Sequence, residues 1–141
     1  MPPRYLDASV FVHAYIRPRR ELKAHERGIK AHARAIVARI NEGEAVVTST
    51  VHVAEIANVL ENWMRLEDAA AVQQGLCTLD SVRILTTTRA DLLEALARGS
   101  DLGLGTSDAL AVAFMRREGL REVYSFDKDF DRVPDISRVS A

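Results

Sequence analysis

Three short runs of strand character, at 45–48, 82–85 and 122–126, are separated by long segments whose apolar residues recur at helical spacing. No other feature constrains the fold as tightly. Strands alternating with helices pair in parallel through right-handed crossovers, and helices then cover both faces of the sheet. Tyr5-Leu6 adds a short strand near the start, and 136–139 a short edge strand near the end. Helices are expected over 8–15, 21–41, 50–66, 67–79, 88–99 and 107–118. The second of these sets Leu22, Ile29, Ala33, Ile36 and Ile40 on one face and stops at Gly43. The expected architecture is α/β, a three-layer α/β/α sandwich with a mainly parallel central sheet.

The chain has 141 residues, about one domain, and no repeat, linker or low-complexity segment divides it, so 1–141 is read as a single unit. Hydrophobic residues make up 48%, enough for a core. The net charge of −1 gives bulk electrostatics no role in binding nucleic acid, which leaves that task to a local patch. Arg20, Lys23, Arg27, Lys30 and Arg34 offer one, at spacings of three and four along one helix face. A simple solvated face is the alternative reading. The single cysteine, Cys77, excludes an internal disulfide, and its apolar helical setting predicts a buried, inert thiol. The opening residues lack the apolar run of a signal peptide, and no stretch approaches the ~20 apolar residues of a membrane span. A cytoplasmic protein is expected.

In an open parallel sheet the working crevice lies beyond the carboxyl ends of the strands. Asp7 and Asp127 end the first strand and the last long one, while Glu55 and Asp108 lie near helix starts. Each has a local explanation. Asp7 is positioned to cap the helix that follows it, and Asp127 to cap the turn at Lys128-Asp129-Phe130. Asp108 suits the dipole of a first helical turn. Glu55 fits such explanations least, because it stands in a largely apolar stretch and is not three residues after Ser49 or Thr50. Four carboxylates gathered in one crevice would repel, and hard oxygen ligands suit Mg²⁺ or Mn²⁺. The four histidines, His13, His25, His32 and His52, have no zinc-motif spacing, and neither a P-loop nor a Gly-x-Ser-x-Gly elbow occurs.

Three motifs resemble those of the PIN-domain nucleases, especially the VapC-like toxins of prokaryotic toxin–antitoxin pairs. They are Tyr5-Leu6-Asp7-Ala8-Ser9-Val10-Phe11, Thr106-Ser107-Asp108-Ala109-Leu110-Ala111-Val112-Ala113 and Ser125-Phe126-Asp127-Lys128-Asp129-Phe130. Glu55 falls where that family places its helical glutamate. The resemblance implies a PIN-like sandwich that cuts RNA with Mg²⁺ or Mn²⁺. In it Asp7, Asp108 and Asp127 are metal ligands, Glu55 completes the site and Asp129 assists. Ser9 and Thr106 match small polar positions that support the cluster. The resemblance also implies a homodimer and a small antitoxin partner, with the 51–66 helix, including Trp63 and Met64, as a candidate surface. For those two residues a plain core role is the alternative reading. A PIN nuclease of RNA processing and a non-catalytic PIN-like scaffold that binds RNA or protein are the rival functions. A phospho-acceptor receiver needs an acidic pair after the first strand, where Asp7 is followed by Ala8-Ser9. A haloacid-dehalogenase-type phosphatase needs far more chain after Asp127-Lys128-Asp129 than is present.

Overall fold

Adjacent residues of a strand point to opposite faces of its sheet, so a strand buried on both sides is apolar throughout. The computed structural model, which describes residues 2–141, applies this rule across five strands. The chain runs β1 (Arg4–Leu6), α1 (Ser9–Tyr15), α2 (Ala24–Asn41), β2 (Val46–Ser49), α3 (Thr50–Trp63), α4 (Leu66–Cys77) and β3 (Val82–Leu85). It continues through α5 (Arg89–Leu102), α6 (Thr106–Glu118), β4 (Glu122–Tyr124), a 3₁₀ turn (Lys128–Arg132) and β5 (Ser137–Val139). The strand order is β3-β2-β1-β4-β5 and every pairing is parallel.

Leu6, Val46, Val82 and Tyr124 join one core, with Phe11, Ile36, Ile40, Ile56 and Leu60 from α1, α2 and α3. Their strand neighbours Tyr5, Val47 and Val123 join the other, with Ala95 of α5 and Leu110, Phe114 and Met115 of α6. The result is the three-layer α/β/α sandwich. β1 is central, and the chain leaves it first toward β2 and β3, then returns to build β4 and β5 on its other side. The order therefore reverses between β1 and β4, so the crevice at their carboxyl ends receives the residues after Leu6 and after Tyr124.

Several local expectations change. α2 starts at Ala24, not 21, because Glu26 accepts the Lys23 backbone N–H at 2.9 Å and so fixes the first turn there. Leu22 consequently precedes the helix. β4 ends at Tyr124, since the Phe126 N–H donates to the Ser9 hydroxyl at 3.0 Å and not to a strand partner. Cys77 is exposed, at the last residue of α4, where its helical position turns it away from the core. Trp63 is 56% exposed, and Met64 is half-buried against the first core. Both stand where α3 gives way to α4, beyond the reach of full core packing.

α5 must pass close to the loop that starts α6, and Gly99 permits it. A Cβ there would lie 2.7 Å from the Leu104 carbonyl oxygen and 3.3 Å from the Ala109 Cβ. The nearer atom is backbone and cannot swing aside. Gly99→Ala should therefore destabilise the fold by about 1–3 kcal/mol despite the better helix propensity of alanine. Urea denaturation measures it, and an unchanged or raised midpoint would contradict this packing.

Candidate metal centre

Asp7 follows β1 directly, at the switch point, and it is buried. It does not cap α1: the Ala8 cap position has no side-chain hydrogen bond. Its Oδ2 instead accepts two hydroxyls, from Ser9 and Ser125, each at 2.7 Å. The two serines are 3.2 Å apart and each also accepts a backbone N–H, Ser9 from Phe126 and Ser125 from Asp127. This lattice ties the end of β1 to the segment after β4. Two short hydroxyl donors satisfy one oxygen of this buried carboxylate and fix its orientation.

Asp127 caps the 3₁₀ turn as expected, with Oδ1 accepting the Asp129 N–H at 2.9 Å. Asp108 occupies the first turn of α6. One carboxylate oxygen from each of Asp108, Asp127 and Asp129 falls within 4.8 Å of the others. Asp7 and Glu55 stand outside that tight group, yet the Asp7 charge acts on Asp108. Burial pushes the Asp108 carboxyl up to about 8, helped by the charge of Asp7, a hydrogen bond shared with Asp127, and the charges of Asp127 and Asp129. The crowding of these acids thus favours the neutral form of Asp108, and a cation in the same place would relieve the same repulsion.

Glu55 lies in α3, half-buried, and its Oε1 is fully buried with no hydrogen-bond partner. It is the one such side-chain oxygen among the described residues. A buried carboxylate oxygen without a donor is costly unless a cation meets it, and an all-oxygen, all-acid donor set suits Mg²⁺ or Mn²⁺. These residues therefore fit a divalent ion.

The remaining site expectations fare unequally. Thr106 opens α6, but its side chain makes no hydrogen bond to the carboxylates among the described residues. The basic stripe is not one open helix face. Arg20 precedes α2 and makes a double hydrogen bond with Glu26, while Arg27 donates to the Leu22 carbonyl. Lys30 is buried and donates to the carbonyls of His13 and Ile16, and Arg34 donates to that of Ala14. Much of the stripe thus closes the carbonyl end of α1. Sequence reasoning assigned no role to Ser125 or His52. Ser125 lies beside Asp127 in the quoted motif, but nothing local reveals that it meets a serine 116 positions away.

A family model described as the PIN domain matches residues 4–136. A search of curated proteins returned no significant match. Among solved structures, Mycobacterium tuberculosis VapC20, a toxin that cleaves the sarcin–ricin loop, aligns with a TM-score of 0.67 and 21% identity over 92% of this chain and 94% of that one. A Pyrobaculum aerophilum protein aligns with a TM-score of 0.62 and 21% identity, covering 97% and 90%. VapBC2 of Rickettsia felis, bound to a DNA fragment from its promoter, aligns with a TM-score of 0.62 and 14% identity, covering 98% of both chains. At such identities the structures share the fold.

The raised Asp108 carboxyl sets the sign of a pH effect. In the folded protein it keeps a proton that the unfolded chain loses near pH 3.8, so its contribution to stability falls as pH rises from there through about 8. In EDTA, the melting temperature should drop between about pH 6 and about pH 9, and Asp108→Asn should reduce that drop. Equal pH slopes for both proteins would show that Asp108 does not carry the excess proton.

Proposed function

This chain belongs to the PIN domain family, and from that premise we propose that it is a Mg²⁺- or Mn²⁺-dependent endoribonuclease, the toxin of a VapBC-type toxin–antitoxin pair. The observation that carries the reading is the close set of carboxylate oxygens from Asp108, Asp127 and Asp129, within 4.8 Å of one another, together with the unpartnered, buried Oε1 of Glu55. Asp108 and Asp127, with Asp7, Asp129 and Glu55 around them, would hold the ion. Bound there, it would supply a water of lowered pKa and neutralise charge building on the scissile phosphate.

Each side chain has a separate task. The serine pair fixes Asp7 through one oxygen, so the carboxylate has a set orientation before any substrate arrives. Glu55, with a free oxygen, orients the attacking water or takes its proton. The 3′-oxygen leaves in line, and no covalent enzyme intermediate forms. Arg20, Lys23, Arg27 and Arg34 are exposed and can meet RNA phosphates, whereas Lys30 belongs to the clamp on α1.

Apolar side chains left in water support protein partners, namely a second copy of the chain and a small antitoxin. Trp63 and Leu66 are 56% and 69% exposed between α3 and α4, and Leu93 and Leu96 stand out on α5. No helix among the described residues is long and apolar enough to cross a membrane. We read 1–141 as one cytoplasmic nuclease domain.

The test is cleavage of a structured RNA in Mg²⁺ or Mn²⁺, alone and with EDTA. Asp7→Asn and Glu55→Gln should each lose about a hundredfold or more in rate while keeping the wild-type circular dichroism. Undiminished cleavage by either variant, or full cleavage in EDTA, would overturn the assignment.

A further inference from the structure

His52 is completely buried, and the mechanism above gives it no part. Its Nε2 lies 3.1 Å from the Ser107 carbonyl oxygen. A carbonyl can only accept, so Nε2 carries the proton and Nδ1 is the acceptor. Nδ1 faces two hydroxyls, Ser49 at 2.7 Å and Tyr5 at 3.0 Å. Ser49 also accepts the backbone N–H of His52 at 3.3 Å, and the Tyr5 ring meets the imidazole edge-on at 5.4 Å. Burial lowers the imidazole pKa, against the opposing pull of the Asp7 and Glu55 charges, which keeps the ring neutral and its two nitrogens distinct.

The partners of this ring matter more than their number. Tyr5 is two residues before Asp7 on β1, and Ser49 ends β2. His52 itself is three residues before Glu55 on α3, close to one helical turn. Ser107 is the residue before Asp108 on α6. α3 packs mainly on α4, α1 and β2, while α6 packs mainly on α5, so the His52–Ser107 bond spans two otherwise separately supported helices. Those helices carry Glu55 and Asp108.

We propose that His52 is a positioning residue for the carboxylate site, its Nε2–H holding the first turn of α6, and so Asp108, in register with Glu55 on α3. The proposal rests on the reading of that site as a cation-dependent nuclease centre. It requires the donor at the Nε2 position, not merely a buried ring. Glutamine carries its amide to that position, asparagine carries it only as far as Nδ1, and leucine fills the space with no donor.

Mn²⁺ affinity by calorimetry, kcat and KM on a structured RNA, and the melting temperature in EDTA are measured for wild type, His52→Gln, His52→Asn and His52→Leu. His52→Asn and His52→Leu should weaken Mn²⁺ binding and lower kcat by roughly 10–100-fold, with KM within about twofold of wild type. His52→Gln should recover most of both losses. Wild-type Mn²⁺ affinity and kcat in folded His52→Asn would overturn the proposal. Equal losses in the Gln and Asn variants, following their melting temperatures, would also overturn it, because a purely structural role accounts for them. Wild type that binds Mn²⁺ but cleaves no RNA rejects the nuclease reading alone, since the affinity comparison still decides the role of His52. Wild type that binds no Mn²⁺ overturns both.

Discussion

Carboxylates repel when a fold brings them together, and the architecture of this protein converges on managing that repulsion. Two unit charges 4 Å apart cost about 4 kcal/mol in a protein-like dielectric, so several in one crevice threaten a margin of stability of similar size. The chain offsets the cost in three ways. Ser9 and Ser125 donate to Asp7, the Asp129 N–H donates to Asp127, and burial with the neighbouring charges pushes the Asp108 carboxyl up toward its neutral form. Glu55 has no such relief at Oε1. A structure that stabilises its acids so incompletely is poised for a cation.

Topology brings the segments after β1 and β4 together. β1 lies in the middle of the sheet and β4 lies beside it, so residues more than a hundred positions apart in sequence end up in hydrogen-bond contact. Apolar packing on the two faces holds this order, with Leu6 and Tyr5 committed to opposite cores. The close pass of α5 at Gly99 then brings α6 to the sheet with its acidic first turn at the crevice.

The fold class was legible in the sequence because parallel sheets write themselves as alternating strand and helix periods, which need no knowledge of long-range contacts. Asp7 after β1 and Asp108 in the first turn of α6 were legible for the same reason, whereas Asp127 lies beyond the end of β4 and Glu55 in the second turn of α3. Their partners were not. Asp7 has the local sequence of a helix cap, and only the meeting of Ser9 with Ser125 makes it something else. Lys30 reads as one member of a solvated stripe until α1 presents its carbonyls to it. His52 reads as an ordinary histidine, because its hydroxyl and carbonyl partners come from β1, β2 and α6. Cys77 has apolar neighbours in sequence yet is exposed, because the last residue of a helix need not face the core its neighbours face.

If these acids form one cation site, anomalous diffraction from crystals soaked in Mn²⁺ will show a peak within about 2.5 Å of carboxylate oxygens from Asp108 and Asp127, with Asp7 or Glu55 bordering the same ion. A saturating soak that leaves this crevice without a peak, in crystals whose carboxylates are ordered, would contradict it.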